Sequence, residues 1–394
     1  MSLILLFLAT IIILSLILNK KIKKSRFKRR DQKFNSLAKY FSYCFILWSL
    51  LATIIISITP LTIYIKIITI TLFYALGFFL LKNLQQKNFN AKKHIEKSGE
   101  VVLSITAGIG ILITIIITAS IFFEAWRFFE KISFFDFIFG LQWNPQMAIS
   151  EDQSVGQSAF GFIPVFLGTL LIATISMSVA IPLGIMGAVY LTMYAKNSTR
   201  DVLKPILEIL AGIPTVVYGY FAVTTIGPFL KNLFDLFSIK IASESALNAG
   251  FVMGIMIIPF ILSLTDDALK AVPQSLKDGA LAMGSTKSEM IKKVVLPAAT
   301  PSIVGAIILG VSRAIGETMI VTMAAGLVAN LTFNPLDSVT TATAQIVTLL
   351  VGDQEFDSPK TLAAFALALT LFVLTFIFNI VALSVIKSYK KKYS

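Results

Sequence analysis

The sequence has very few of the residues from which disulfides and metal sites are built. Its 394 residues include one cysteine, Cys44, and one histidine, His94. A single cysteine allows no disulfide within the chain. A zinc site needs a cluster of His, Cys or carboxylate ligands, and the sequence shows no such cluster. These shortages argue against a disulfide-stapled domain and against a metalloenzyme.

Charged residues are also scarce. They make up 14% of the chain, whereas hydrophobic residues make up 56%, and soluble proteins are about a quarter charged. The apolar residues fall in runs of roughly 20, the length at which a helix crosses about 30 Å of hydrocarbon. The runs do not alternate as barrel strands do, and helices satisfy their own backbone groups in lipid. The sequence predicts an all-α, polytopic membrane bundle.

We predict about nine spans in two domains. The first three spans form an N-terminal extension over residues 1–100, rich in Ile and Leu. The other six form a core over residues 101–394, and their spans contain Gly, Pro, Ser and Thr. The predicted spans are 2–18, 40–59, 62–81, 101–123, 163–193, 205–230, 247–265, 301–330 and 361–386.

The distribution of basic residues predicts the orientation. The loops assigned to the cytosol, with Glu208, hold 27 Lys and Arg against 9 Asp and Glu, and the opposite side holds 5 against 11. This places the N-terminus in the periplasm and the C-terminus in the cytoplasm. It also explains the net charge of +13 without a nucleic acid, because basic loops face anionic lipid headgroups. The cytosolic loops in this assignment are 19–39, 82–100, 194–204, 266–300 and 387–394.

The loop 266–300 carries a pattern of small residues. The pattern predicts a short amphipathic helix, a sharp turn at Gly284 and a new helix near Pro297. Ala280, Leu281 and Met283 would form an exposed apolar surface that suits a groove on a soluble partner. The alternative is an ordinary loop between two spans.

Two charges, Arg313 and Glu317, lie within the predicted span 301–330. Residues four apart share one face of a helix. A charge at bilayer depth costs about 2.5–3.5 kcal/mol on insertion scales, so such residues are usually paired or line a pathway. The residues alone allow two interpretations. Arg313 and Glu317 either form an ion pair that neutralises both charges or line part of a transport path.

The loop pattern resembles the EAA loop of ABC importer permeases. Asp replaces Glu, Gly replaces the first Ala and Val replaces Ile, whereas the spacing is intact. In that family the loop docks into the ATPase subunit, and the resemblance assigns docking to the residues Asp278, Gly279, Ala280, Met283, Gly284, Val294, Leu296 and Pro297.

Three further stretches resemble phosphate importer permeases of the PstC type. They are the segment Gly310–Gly326, the Gly-Ile-Pro stretch within 210–219 and the outer stretch within 139–169. In the outer segment 124–162, Trp126 and Trp143 would suit an interfacial belt or short helices lying on the membrane surface. The resemblance covers about residues 101–390 and implies a type I ABC importer permease fold. It implies that Arg313, Glu317 and Thr318 line the substrate path. Because an arginine fork binds oxyanions, our hypothesis is that Glu317 holds Arg313 until phosphate arrives.

The resemblance also implies partners. The stretch Gly279–Thr286 is spaced like a phosphate-binding P-loop, but Ser285 stands where that loop needs a lysine. The expectation is therefore a permease without catalysis or cofactor of its own, with ATP and Mg²⁺ bound by two partner ATPase subunits. The other implied partners are a second permease and a periplasmic phosphate-binding protein, in a bacterial inner membrane. The alternatives are another oxyanion such as phosphonate or molybdate, an ion-coupled secondary carrier, and a membrane scaffold or sensor.

Overall fold

The computed structural model describes residues 91–145, 160–351 and 357–393. The predicted spans 2–18, 40–59 and 62–81 lie outside the described residues, so the boundary at residue 100 stays a prediction. Contacts divide the chain into two compact units, residues 1–116 and 117–394. The described residues form helices and connecting loops, with two isolated β-bridges. The all-α prediction is confirmed for this part of the chain.

The described helices are numbered here in chain order. They are α1 (Ala91–Lys131), α2 (Phe134–Phe139), α3 (Ile163–Val189), α4 (Asn197–Gly212), α5 (Thr215–Phe221), α6 (Gly227–Asp235), α7 (Ala246–Lys270), α8 (Gln274–Ala282), α9 (Lys287–Met290), α10 (Leu296–Ile315), α11 (Met319–Ala324), α12 (Ala342–Leu350) and α13 (Pro359–Tyr393). Three π-helical turns, Tyr190–Tyr194, Ala222–Ile226 and Ile291–Val295, extend or join them.

Five described helical segments are long and apolar enough to cross a membrane. A sixth crossing is formed by α4 to α6 if the bent segment is counted as one span. The six predicted spans of the core therefore have helical counterparts. The five are Gly99–Lys131, Ile163–Tyr194, Ala246–Lys270, Lys287–Ile315 and Pro359–Ser384.

The predicted span 205–230 is not one straight helix. Its two halves meet at a bend of 87°. The bend falls at Pro214, which lacks an N–H and pushes the preceding residue out of the helical region. Ile213 is accordingly extended, at φ −65° and ψ 130°. The Tyr218 hydroxyl donates to the Leu210 carbonyl across the bend at 3.0 Å, which holds the two halves together.

The prediction of one continuous span over 301–330 is wrong. Helix α10 ends at Ile315, and a new short helix, α11, begins at Met319. The backbone N–H groups at the start of α11 bind a side chain of the connecting segment, as described below. A helix start of this kind gives its first N–H groups an acceptor outside the helix. The chain therefore breaks where the hydropathy alone predicted continuity.

Helices α3 and α7 form the centre of the compact unit that covers residues 117–394. A Cβ built on Gly250 would lie 2.7 Å from the Ile175 Cβ, and one on Gly254 would lie 2.9 Å from the Val179 Cβ. The two glycines thus let α7 approach α3 more closely than any side chain would permit, as in other membrane helix pairs. The tightly packed pair supports the loops that follow both helices.

A cluster of aromatic rings lies where α1, α2 and α12 meet. Phe128 packs edge-on against Phe137 and Phe160, with ring centroids 5.4 and 5.6 Å apart. Trp143 is 4% exposed, and its Nε1 donates to Gln345 Oε1 at 2.9 Å. The interpretation of Trp143 as a residue of an interfacial belt is therefore wrong, because its ring belongs to this buried cluster.

Candidate transport site

The helix–turn–helix predicted within 266–300 is confirmed. Helices α8 and α9 are separated by a turn in which Gly284 has φ +84°, a conformation that glycine adopts without strain. Thr286 begins α9 with a capping box, because its side chain and that of Glu289 each bind the other's backbone N–H. The turn and the start of α9 are therefore determined by residues that are close together in the sequence.

The predicted docking residues divide into an exposed tip and a packed base. Met283 is 87% exposed, Leu276 48% and Leu281 45%, so the tip presents apolar side chains to solvent. Asp278, Gly279 and Gly284 are also exposed, whereas Ala280, Val294, Leu296 and Pro297 are half-buried. The tip is thus the part of this segment that a partner can contact.

The packed base connects the predicted docking segment, residues 278–297, to the membrane helices. Ile291 and Val295, in the π-helical turn after α9, pack in a buried cluster with Leu269 of α7. The Lys287 ammonium lies over the Tyr194 ring, 5.0 Å from its centroid, and so contacts the end of α3. From Lys287 the chain continues as one span to Ile315. The part of the chain that follows the Gly284 turn is therefore one continuous segment with α10.

Arg313 lies in the last turn of α10 and is exposed on the surface of the single chain. Its guanidinium lies over the Phe260 ring of α7, 5.4 Å from the centroid, in a cation–π contact. The ion pairs found between described residues do not include Arg313. Because the Phe260 ring covers one face of the guanidinium, the N–H groups along the edge of the guanidinium remain available to a ligand.

Glu317 has a different environment from Arg313. It is 8% exposed, and its Oε1 accepts hydrogen bonds from the backbone N–H groups of Met319 at 3.0 Å and Ile320 at 3.3 Å. These bonds cap the start of α11. Its backbone carbonyl accepts from Thr343 Oγ1 at 2.8 Å, which ties the break to the first turn of α12. Glu317 therefore fixes the backbone where α10 ends.

The expectation that Arg313 and Glu317 share one helix face is wrong, because α10 ends between them. The structure also does not bear out the hypothesis that Glu317 holds Arg313, since the Glu317 carboxylate binds backbone N–H groups instead. Thr318 is half-buried at the start of α11, and its carbonyl accepts from the Thr322 hydroxyl. Of the three predicted path residues, only Arg313 presents an exposed charge.

An ionic cluster that the sequence did not predict surrounds Asp266 at the end of α7. The Asp266 carboxylate is buried and accepts from Arg200 Nη2 at 2.8 and 3.1 Å and from Lys270 Nζ at 2.6 Å. The Thr192 hydroxyl donates to it at 2.7 Å, and Lys204 Nζ lies 3.9 Å away. The cluster thereby joins α4 to the ends of α3 and α7.

Part of this cluster has a sequence signal. Arg200 and Lys204 are four residues apart on α4, and Asp266 and Lys270 are four apart on α7, so each pair shares a helix face. The spacing does not reveal that the two pairs meet, because 66 residues separate Arg200 from Asp266. Only the packing of α4 against α7 brings them together.

These features define a helical, multi-pass membrane protein in which an exposed helix–turn–helix precedes a span that carries a charge. The profile of the family described as "Binding-protein-dependent transport system inner membrane component" matches residues 180–391. The chain belongs to this family, whose members are permease components rather than catalytic subunits.

Several proteins that are similar to this chain are named as transport permeases. The chain is 33% identical over 285 residues to "Probable ABC transporter permease protein YqgH" of Bacillus subtilis, covering 72% of this chain and 88% of the relative. It is 31% identical over 284 residues to "Phosphate transport system permease protein PstC" of Mesorhizobium japonicum, covering 68% and 82%. Another PstC, of Haemophilus influenzae, is 32% identical over 237 residues, covering 56% of this chain and 73% of the relative.

The fold also has a solved counterpart. A chain in the crystal structure of a bacterial ABC transporter involved in the import of the acidic polysaccharide alginate aligns with a TM-score of 0.50. The alignment covers 74% of this chain and 98% of that chain at 15% identity. At this identity the likeness concerns the fold alone, and it agrees with the predicted ABC importer permease fold.

Proposed function

We propose that this chain is the permease subunit of an ATP-driven importer of inorganic phosphate in a bacterial inner membrane. The names of the PstC relatives support phosphate as the substrate. The structural observation that carries the proposal is Arg313, an exposed guanidinium on a membrane span whose only described side-chain contact is an aromatic face.

The exposure of Arg313 argues for a pathway. A charge facing lipid at bilayer depth costs about 2.5–3.5 kcal/mol on insertion scales, so charged side chains face a water-filled cavity or another subunit. A second permease subunit would form the opposite wall of that cavity. Arg313 would then offer phosphate a planar pair of N–H donors that stays charged at every physiological pH.

The docking segment would supply the energy input. Two ATPase subunits would bind ATP and Mg²⁺ themselves and contact the apolar tip around Met283, which is the most exposed of its large side chains. A periplasmic phosphate-binding protein would deliver the substrate on the other side. In this orientation the N-terminus is periplasmic and the C-terminus cytoplasmic.

Uptake of radiolabelled phosphate in cells that lack their own high-affinity system tests the substrate. We expect the native chain with its partners to restore uptake and Arg313→Gln to abolish it, whereas Lys231→Gln, an exposed control on α6, should retain it. Assembly is checked by co-purification of the partners. Full uptake by Arg313→Gln contradicts the role of Arg313, and competition by molybdate or phosphonate rather than phosphate contradicts the substrate.

A separate variant tests the docking surface. Met283→Glu places a charge on the exposed tip without touching the packed base, so co-purification of the ATPase should fall while thermal stability is unchanged. Leu331→Glu, which changes a 50% exposed residue on the opposite side of the predicted membrane, is the matched control. Equal recovery of the ATPase with both variants would show that the tip is not the docking surface.

A further inference from the structure

A pocket of about 200 Å³ lies between α4 and α7. Two kinds of residue line it. One part of the lining is apolar and comes from both helices: Leu207, Ala211, Pro259 and Phe260. The other part is charged, with Arg200 and Lys204 from the first turns of α4 beside the carboxylates of Glu208 and Asp266. A cationic end joined to an apolar floor fits a ligand that is itself anionic at one end and apolar at the other.

The basic end retains positive charge after its internal pairing. Arg200 and Lys204 line the pocket, and Lys270, which lies outside the lining, also pairs with Asp266. These three cations and the one carboxylate give a formal charge of +2. Glu208, which also lines the pocket, reduces this to +1. Lys204 is the most weakly held cation, at 3.9 Å from the carboxylate, and its side chain is 40% exposed. It is therefore free to bind an additional anion.

The helix that forms one wall suits the edge of a bilayer. Helix α4 has no buried residue, and its apolar side chains Val202, Ile206 and Ile209 are 60%, 47% and 69% exposed. An amphipathic helix with an uncovered apolar face lies in the membrane interface, with that face toward the acyl chains. The basic loops on this side of the protein predict the cytoplasmic leaflet. The charged end of the pocket thus lies at the depth of the lipid headgroups, and the apolar floor extends along α7 to Phe260.

We propose that this pocket binds an anionic phospholipid of the cytoplasmic leaflet. Arg200 and Lys204 would bind the phosphate group through charge-assisted hydrogen bonds, and the first part of an acyl chain would cover the apolar floor beside Phe260. Basic pockets between membrane helices on the cytoplasmic side bind lipid headgroups in this way. Inorganic phosphate shares the anionic chemistry but gains nothing from the apolar floor. The proposal does not depend on which substrate the protein carries.

Native mass spectrometry of the purified, full-length protein in its permease complex tests the site, with phosphatidylglycerol added in one arm and phosphatidylcholine in another. Lys204→Gln should weaken phosphatidylglycerol binding about fivefold, since one basic residue near a membrane surface corresponds to about 1 kcal/mol. Ala211→Phe fills the apolar floor without changing any charge. It should weaken binding about tenfold, as expected if it displaces two methylene groups of the lipid.

The control is Lys196→Gln, which removes an exposed lysine next to α4 and outside the pocket, and it should leave lipid binding unchanged. An inorganic phosphate arm separates the two sources of a phosphate group. If Lys204→Gln weakens phosphate binding but Ala211→Phe leaves lipid binding unchanged, the lipid proposal is overturned in favour of a free anion. Equal binding of phosphatidylcholine and phosphatidylglycerol also overturns it.

Discussion

Replacement of Asp266 by Asn tests whether the buried ionic cluster stabilises the fold. The Asp266 side chain is 4% exposed and is the common acceptor of one arginine, one lysine and one threonine hydroxyl. Asn keeps the size of the side chain and one carbonyl oxygen but removes the negative charge. The cations that surround the position then repel one another without compensation.

The expected loss follows from these contacts. A hydrogen bond to a charged partner contributes about 1.5–3 kcal/mol. Each carboxylate oxygen of Asp266 accepts two hydrogen bonds, so Asn, which retains one acceptor oxygen, loses two of them. Arg200 and Lys270 are 25% and 39% exposed, so water screens part of their repulsion. We therefore expect Asp266→Asn to lower the free energy of unfolding by about 3 kcal/mol, at the lower end of the range for breaking a buried ion pair.

The assay is the thermal midpoint of the detergent-purified protein, followed by fluorescence-detected size-exclusion chromatography. Asp267→Asn is the matched control, because it removes the same charge at the next residue, which is exposed. A surface substitution of this kind changes stability by less than about 0.5 kcal/mol. Equal midpoints for Asp266→Asn and Asp267→Asn would refute the assignment of a stabilising role to the cluster.

Four other variants test features of the structure through the same thermal midpoint. Gly140→Ala should lower it by several degrees or prevent folding, because the added Cβ would lie 2.6 Å from the Gly161 Cα. Gly279→Ala should instead raise it slightly, since its Cβ meets no atom within 4 Å and Ala favours a helix by up to about 1 kcal/mol. Glu317→Ala should lower it by an amount corresponding to about 1 kcal/mol, because α11 loses its cap, whereas Arg313→Gln should leave it unchanged. A larger fall with Arg313→Gln than with Glu317→Ala would contradict the contacts described for both residues.

The features that the sequence predicted depend on local signals. Runs of about 20 apolar residues predicted where helices long enough to cross a membrane occur in the core, because the length of a span is determined by the thickness of the hydrocarbon. They did not predict the bend within 205–230 or the break within 301–330. The turn between α8 and α9 was predicted because Gly284 is a residue that adopts positive φ without strain, and it does so here at +84°. In both cases the residues that determine the structure lie next to each other in the chain.

The features that the sequence did not predict depend on contacts between distant residues. The expectation that Arg313 and Glu317 share one helix face required an unbroken helix. The break is stabilised partly by Thr343, which lies 26 residues after Glu317. The cluster at Asp266 needs α4 to pack against α7, and no spacing rule gives that contact. The burial of Trp143 likewise depends on Gln345, 202 residues away.

The break after α10 also changes what the two charged residues can do. The span from Lys287 to Ile315 is continuous, so Arg313 lies about 39 Å along the same helical segment from Lys287. Glu317 lies beyond the break and is bound to α11 and α12. The two charges therefore lie on opposite sides of a break in the helix. A displacement of α10 relative to α11 would change the distance from Arg313 to the backbone that Glu317 holds in place.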